Sequence, residues 1–372
     1  MKKALYLVLT ILLLVGCSTT SPNKNNVSAK FSAVFTAEGW FDTFVEFTAY
    51  VSKTDEFNTY SDLLRKDFTY YHQLFDKYNS YDGVNNIKTI NDNAGIAPVK
   101  VDADMIEMLQ LAKEWYDISE GYFDITLGAV LNVWHEYREE GILLNAQGKD
   151  GLVPSQEELD KAKQCVGWEF VEIDEANSTV YLNNSCSSLD VGGIAKGFSV
   201  ERVARNLEEH GLKAGIVNGG GNIRIIGTKP NGEAWSVGIQ NPDKDLNAPS
   251  LDSTLHKESM SMVTSGDYQR YYTVGDTIYH HIIDPKTLQP GRRYRAASIV
   301  VKDSGLADIM SKIAFLLPYE EAKKIIEEHG GNAIWLVEEK DAFDAEYSEV
   351  IDGIYIAVTE GLVDHMRIMK RK

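Results

Sequence analysis

The sequence predicts an α+β fold, with helices early, short strands in the middle and both at the end. Three observations carry this reading. Apolar residues recur at helical spacing over 60–78 and 102–118. Between 214 and 301 the pattern shortens to strand-length apolar runs separated by glycine-rich turns. From 306 onward the two patterns alternate.

The first helix rests on Leu63, Leu64, Phe68, Tyr71, Leu74, Phe75 and Tyr78, and the second on Met105, Met108, Leu109, Ala112, Trp115 and Tyr116. Ser155-Gln156-Glu157-Glu158 is a capping box after Pro154 and opens a short helix. Residues 169–173 and 179–182 read as two strands around the turn Asp174-Glu175-Ala176-Asn177. A helix follows over 198–210, then strands over 215–217, 223–226, 235–239, 268–274, 278–283 and 297–301. Helices over 306–316 and 319–329 and strands over 331–338 and 351–358 complete the chain. No internal repeat or interdomain linker is visible after residue 31, and 372 residues allow one large domain or two average ones.

The chain has 37 basic and 55 acidic side chains, a net charge of −18, with 44% hydrophobic residues. These are the proportions of a folded protein; they exclude an acidic disordered tail and a small disulfide scaffold. The acidic balance argues against nucleic acid as a partner, because that affinity rests on clustered Lys and Arg. It leaves room for a nucleotide site, which needs only local positive potential.

At the start, Lys2 and Lys3 precede an apolar run over 4–15, too short for a comfortable membrane span, that ends in Leu14-Val15-Gly16-Cys17. This resembles the bacterial lipoprotein signal. The resemblance implies removal of residues 1–16, diacylation of Cys17 and anchoring on the extracytoplasmic face, with residues 17–30 as a polar tether to a domain spanning 31–372. Loss of Lys2 and Lys3 would take the net charge from −18 to −20. The other two cysteines, Cys165 and Cys186, flank the predicted 169–182 hairpin. Both a disulfide and two buried thiols fit that position.

Five short motifs bear on chemistry, and each admits a purely structural reading. Asp190-Val191-Gly192-Gly193-Ile194-Ala195-Lys196-Gly197 follows a strand and opens a helix; its glycines suit close packing or an anion site at a helix N-terminus. It is neither a Walker A loop nor GxGxxG. Asn218-Gly219-Gly220-Gly221-Asn222 reads first as a tight hairpin turn. Thr264-Ser265-Gly266-Asp267-Tyr268 places two hydroxyls and a carboxylate at a strand end, as a turn or a site. In His280-His281-Ile282-Ile283-Asp284-Pro285 the adjacent imidazoles face opposite ways on a strand, so they do not form a bidentate metal site. Gly121-Tyr122-Phe123-Asp124-Ile125-Thr126 is a helix–helix turn or a place to stack a planar ring. The sequence has no HExxH, CxxC or GxSxG.

In this order the motifs resemble the ApbE family, the FAD:protein FMN transferases, over nearly all of residues 39–340. Phe41-Asp42-Thr43 looks like the family's opening strand. Tyr78 falls at its Tyr after the first long helix, and Trp134 after its GxFDxT segment. Ala307-Asp308 looks like its last motif. The resemblance implies a single T-fold-like domain with a central antiparallel sheet flanked by helices. It implies Mg²⁺-dependent transfer of FMN from FAD to a Thr or Ser hydroxyl of a separate exported acceptor, with release of AMP. It further implies that Phe41, Tyr78, Tyr122, Phe123, Asp124, Asp190, Lys196 and Ile282 hold FAD. Gly193 and Asp308 would bind Mg²⁺, and His281 would act as general base or hydroxyl-positioning group with Asp284 orienting the site. Thr264, Asp267 and Lys312 would line the site.

One position departs from the family pattern. Four residues after Asp308, where the family usually has Thr and sometimes Asn, this chain has Lys312. A charged ammonium has no lone pair for a metal. Its charge replacing the metal, a ligating carbonyl, a shift of Ser311 into the site, and a Lys312 that simply points away all remain open. The rival activities are FAD hydrolysis to FMN and AMP, non-catalytic FAD binding by a lipoprotein, and a solute-binding lipoprotein unrelated to flavin. The family's D-x-x-[ST]-G-A-[ST] acceptor pattern does not occur in this chain.

Overall fold

The computed structural model describes residues 28–244, 248 and 250–368. The predicted signal, Cys17 and most of the predicted tether lie outside the described residues. Residues 29 and 30, expected in the tether, instead begin the first strand.

Nine strands form one antiparallel sheet: β1 (Ala29–Phe35), β2 (Val45–Val51), β3 (Ala214–Gly219), β4 (Asn222–Gly227), β5 (Met260–Gly266), β6 (Ala296–Val301), β7 (Asn332–Glu338), β8 (Ser348–Ile351) and β9 (Ile354–Val358). The order is β1-β2-β3-β4-β5-β6-β7-β9-β8. Six longer helices accompany it: α1 (Thr54–Phe75), α2 (Ala103–Ile118), α3 (Gly128–Asn145), α4 (Ala195–Glu209), α5 (Ser304–Leu316) and α6 (Tyr319–Glu328). This is the antiparallel sheet flanked by helices that the sequence and its resemblance led us to expect.

Period-two patterning divides the sheet into two buried faces. Val45, Phe47, Ala49 and Val51 of β2, Val217 of β3 and Trp335 of β7 face the helical layer, where Leu64, Phe68, Val203 and Phe315 meet them. Ile225, Met262, Ile334 and Ile356 face the other way, against Trp235, Val237, Ile239, Leu362 and Val363. Strand β7 is buried on both faces, which explains its unbroken apolar run Ala333-Ile334-Trp335-Leu336-Val337. A third cluster gathers Trp134 and Val130 of α3 with Tyr272, Ile283 and Leu288, and Trp134 Nε1 donates to the Leu288 carbonyl (2.8 Å).

Helix starts follow their caps. Asp102 accepts the Asp104 amide, Ser155 and Glu158 form the expected capping box, and Asp303 accepts the amides of Gly305 and Leu306. The predicted strand 351–358 is two strands, because Asp352 (φ 51°) and Gly353 (φ 78°) make a hairpin turn. Phe41 is not on a strand: it lies in a short 3₁₀ turn at φ 53°, with its amide donating to His72 Nδ1 (3.2 Å), and the strand begins at Val45. The 171–174/179–182 hairpin turns through Glu175-Ala176-Asn177-Ser178, one residue later than predicted. Cys165 and Cys186 form a disulfide with Cα atoms 5.4 Å apart. It closes a loop of 21 residues, which corresponds to about 3 kcal/mol of lost unfolded-chain entropy. Cys186→Ser is therefore expected to lower the thermal midpoint by several degrees, and a reducing agent should lower the parent's midpoint by the same amount and leave the variant's unchanged.

Candidate functional site

Four segments converge on a cleft of about 1090 Å³ beside the sheet: the turn after α1, the glycine loop before α4, the tip between β3 and β4, and the residues following Thr277–His280.

The turn after α1 exists because Asp76 ends the helix. Its carboxylate accepts the amides of Tyr78 (2.6 Å) and Asn79 (3.2 Å) and the Tyr81 hydroxyl (2.7 Å). Lys77 and Tyr78 are thereby turned into the cleft, because the helix ends at Phe75, three residues before the predicted end. The Lys77 ammonium sits 2.6 Å from Asp190 Oδ2, and the Gly192 amide donates to Asp190 Oδ1 (2.9 Å). Burial alone would raise the Asp190 carboxyl; the adjacent Lys77 charge and the two hydrogen bonds outweigh it and hold the group below the usual range. Tyr78 stands 53% exposed at the rim, tilted against His135 with ring centroids 5.4 Å apart.

The glycine loop is read by what its missing side chains would hit. A Cβ on Gly193 would lie 3.2 Å from the Phe123 ring and 3.8 Å from Cε of Lys312. Phe123, 4% exposed, therefore supports the loop from below. A Cβ on Gly197 would lie 2.3 Å from the Ser304 carbonyl oxygen, so α4 starts in direct backbone contact with α5. Asp124 spends one carboxylate oxygen on the amide (2.8 Å) and hydroxyl (2.7 Å) of Thr126, and Lys286 lies over the Tyr122 ring at 5.2 Å. The Gly220-Gly221 tip is a two-residue hairpin with φ of 61° and 94°, braced by the Gly221 amide on Asn218 Oδ1 (2.9 Å), and it also borders the cleft.

The two histidines both border the cleft but differ in their partners. His280 is 4% exposed, donates from Nε2 to the Gly291 carbonyl (2.6 Å) and accepts the Ile282 amide at Nδ1 (3.2 Å). Those bonds replace the ladder and end the strand at His280 rather than at 283. His281 lines the cleft, and its buried Nδ1 has no partner among the described residues. Burial holds the His281 imidazole well below its ordinary value of 6.5, and the charges of Arg270, Arg138 and Lys196 push the same way. It is therefore neutral, with a basic nitrogen, at neutral pH.

Asp308 is fully buried at 0%. Its Oδ2 accepts the Gly197 amide (2.8 Å), and its Oδ1 is bonded to the Lys312 ammonium one turn along α5. Ser311 donates to the Asp308 carbonyl oxygen (2.7 Å) and meets Ser265 (2.8 Å), so it has not shifted toward the cleft. For the expected Mg²⁺ this donor set does not fit. The one carboxylate already pairs with a cation at Oδ1 and accepts the Gly197 amide at Oδ2. The Lys312 stem also lies beside Gly193, the other expected ligand. No group of three or more His, Cys, Asp or Glu among the described residues could hold a metal.

The cleft thus brings together Phe41, Tyr78, Tyr122, Phe123, Asp124, Asp190, Gly193, Lys196, Thr264, His281, Ile282, Asp308 and Lys312. Two expected members stand outside it. Asp284 folds back to accept the amides of Lys286 (2.7 Å) and Thr287 (3.4 Å), which makes it a turn residue. Asp267 pairs its Oδ2 with Arg295 Nε (2.8 Å), and burial raises its carboxyl against that pairing. Lys77, Arg138 and Arg270 line the cleft and were not expected. No local motif marks them, although Lys77 directly precedes Tyr78.

The model of the ApbE family matches residues 41–335. The chain belongs to the ApbE family. Among curated ApbE relatives, an FAD:protein FMN transferase of Treponema pallidum is 28% identical over 298 residues, covering 76% of this chain and 75% of that protein. One of Haemophilus influenzae is 26% identical over 265 residues, covering 70% and 74%. The crystal structure of the ApbE protein of Thermotoga maritima superposes with a TM-score of 0.73 at 26% identity, covering 92% of this chain and all of that one. The Pseudomonas stutzeri flavinyl transferase ApbE shares the fold, with a TM-score of 0.70 at 21% identity over 91% of this chain and 97% of that one.

Proposed function

We propose that this ApbE chain transfers the FMN half of FAD to a Thr or Ser hydroxyl of an exported acceptor protein, releasing AMP, while Cys17 anchors it by lipid to the outer face of a membrane. The observation that carries the reading is the cleft itself. It combines an aromatic rim, a glycine loop at a helix N-terminus flanked by lysines, and a neutral histidine with a free nitrogen.

In this reading Tyr78, Phe41 and Tyr122 contact the planar rings. Lys196, in the first turn of α4, faces the pyrophosphate. The acceptor hydroxyl oxygen attacks the FMN-side phosphorus, the bond to the bridging oxygen breaks, AMP leaves with that oxygen, and the hydroxyl proton passes to His281. Catalysis is then positioning plus charge neutralisation, and the lysines supply the charge.

The test incubates the full chain with FAD and an acceptor carrying D-x-x-[ST]-G-A-[ST]. A fluorescent, covalently flavinylated acceptor and matching AMP are expected. AMP without acceptor would show hydrolysis instead, and FAD binding with neither product would overturn the transferase reading.

FAD affinity should also depend on pH. Burial brings the Lys196 ammonium down to about 8, against the pull of Asp308 and with the push of Lys312 and Arg270. A bound pyrophosphate favours the charged form. Below about 8 that form is already present; above it, binding must take up a proton, and affinity should fall by up to about tenfold per pH unit. Fluorescence titrations of FAD from pH 7 upward, with Lys196→Met as the flat control, measure this.

A further inference from the structure

The resemblance implies that the residue four positions after the buried aspartate helps to complete a divalent-cation site, and here it is Lys312. Several arrangements were open at that position, and the structure narrows them. Lys312 does not point away, because its ammonium is bonded to Asp308 Oδ1 and lies 3.4 Å from the Ser311 hydroxyl. Ser311 does not replace it, because that hydroxyl is committed to the Asp308 carbonyl and to Ser265. Asp308 cannot turn to accept another cation without releasing the Gly197 amide, which ties α5 to the first turn of α4. The stem of Lys312 runs beside Gly193, between the glycine loop and the carboxylate. An ammonium therefore stands where the two expected ligands converge.

We propose that the Lys312 ammonium, held on Asp308 beside the glycine loop, is a built-in replacement for the divalent cation, and that this chain binds and processes its flavin nucleotide without metal. The proposal rests on the flavin-transferase reading for what is processed. The charge placement stands apart from that reading.

The chemistry of the swap is coherent. A divalent ion neutralises pyrophosphate oxygens and must be recruited from solution, whereas an ammonium on a four-carbon stem is always present and donates up to three hydrogen bonds. The Asp308 carboxylate takes one of these and fixes the head, the Ser311 hydroxyl takes a second at 3.4 Å, and the third is left for a phosphate oxygen. Lys196, which feels the Lys312 charge, supplies a second cation on the same wall of the cleft. With two tethered charges, the bond-making and bond-breaking at phosphorus proceed as already written, and the departing AMP leaves its neutralising charge behind in the protein. A bound Mg²⁺ would have to displace the ammonium from Asp308 Oδ1 and then sit beside a like charge.

The test compares the parent with Lys312→Thr and Lys312→Met, each checked for an unchanged thermal midpoint. In the parent, FAD affinity and AMP release should be the same in EDTA as in millimolar Mg²⁺. Lys312→Thr should lose activity by at least about tenfold in EDTA and regain it with Mg²⁺. Lys312→Met should weaken FAD binding by at least about tenfold, with no rescue by Mg²⁺. Mn²⁺ as an electron-spin probe gives a readout independent of turnover: Lys312→Thr with FAD should bind it and the parent should not. Mn²⁺ bound as tightly by the parent, or parent activity lost in EDTA and restored by Mg²⁺, overturns the proposal. A parent that transfers no flavin with any ion sinks the transferase reading alone, because the Mn²⁺ and FAD titrations still decide the role of Lys312.

Discussion

Replacement of His281 by Ala is expected to leave FAD affinity within about twofold of the parent while lowering flavin transfer by about 10²–10⁴-fold, the usual scale for loss of a general base. The side chain lines the cleft and its Nδ1 has no partner, so its removal breaks no hydrogen bond of the fold. Its neighbour is the contrast. His280 holds the Gly291 carbonyl and the Ile282 amide, and His280→Ala should be read mainly as a loss of stability. The pH profile separates a base from a mere filler. The folded His281 is held well below 6.5 and charges only when the pH falls through that lowered value. The transfer rate of the parent should therefore show no acid limb near 6.5, and only a base raised toward its ordinary value would place one there. Steady-state transfer between pH 5 and 8, with FAD saturating, is the measurement.

Gly197→Ala is the second large effect, and it acts on stability and site together. The added Cβ would lie 2.3 Å from the Ser304 carbonyl oxygen and 2.5 Å from Asp308 Cβ. The first of these is backbone and cannot swing aside, so α4 and α5 must separate. Overpacking of this kind costs about 3 kcal/mol. It would also pull the Gly197 amide off Asp308 and disturb the Lys312 head. Gly192→Ala is the control in the same loop: its Cβ meets only the Asp190 carboxylate oxygen, at 3.1 Å. Denaturant midpoints of the two variants should differ clearly, with FAD binding lost in Gly197→Ala and kept in Gly192→Ala.

Much of the fold was legible because it rests on local patterns. The periodicity of Leu64, Phe68 and Phe75 located α1, and the box at Ser155 located the short helix after it. The boundaries that failed depend on side chains reaching back to the backbone. Asp76 stops α1 early and His280 stops its strand early, and neither residue type signals that by itself. Asp352-Gly353 is different: that dipeptide is a hairpin signal, and it was available to split the last strand. The cleft was legible where motifs mark it, at Gly192-Gly193, Tyr122-Phe123 and His281. Lys77, Arg138 and Arg270 were not legible, because only the tertiary fold brings them to the same opening. Asp267 and Asp284 lie outside the cleft lining. Each sits beside a site residue in sequence, but Arg295 claims one carboxylate and a turn claims the other.

The pairing of β2 with β3 has a consequence for how the chain acquires its structure. Val45–Val51 hydrogen-bonds to β1 on one side and to Ala214–Gly219 on the other. The β1–β2 ribbon is an early, local hairpin, but its second partner arrives only after residue 219 has been made. At about 5–20 residues per second this is a wait of roughly ten to thirty seconds. Throughout that interval one long edge of the hairpin and the apolar side bearing Val45, Phe47 and Ala49 have no sheet to join. The nascent chain therefore depends on α1, which follows at once and packs Phe57 against Phe47, to shield that surface until synthesis catches up.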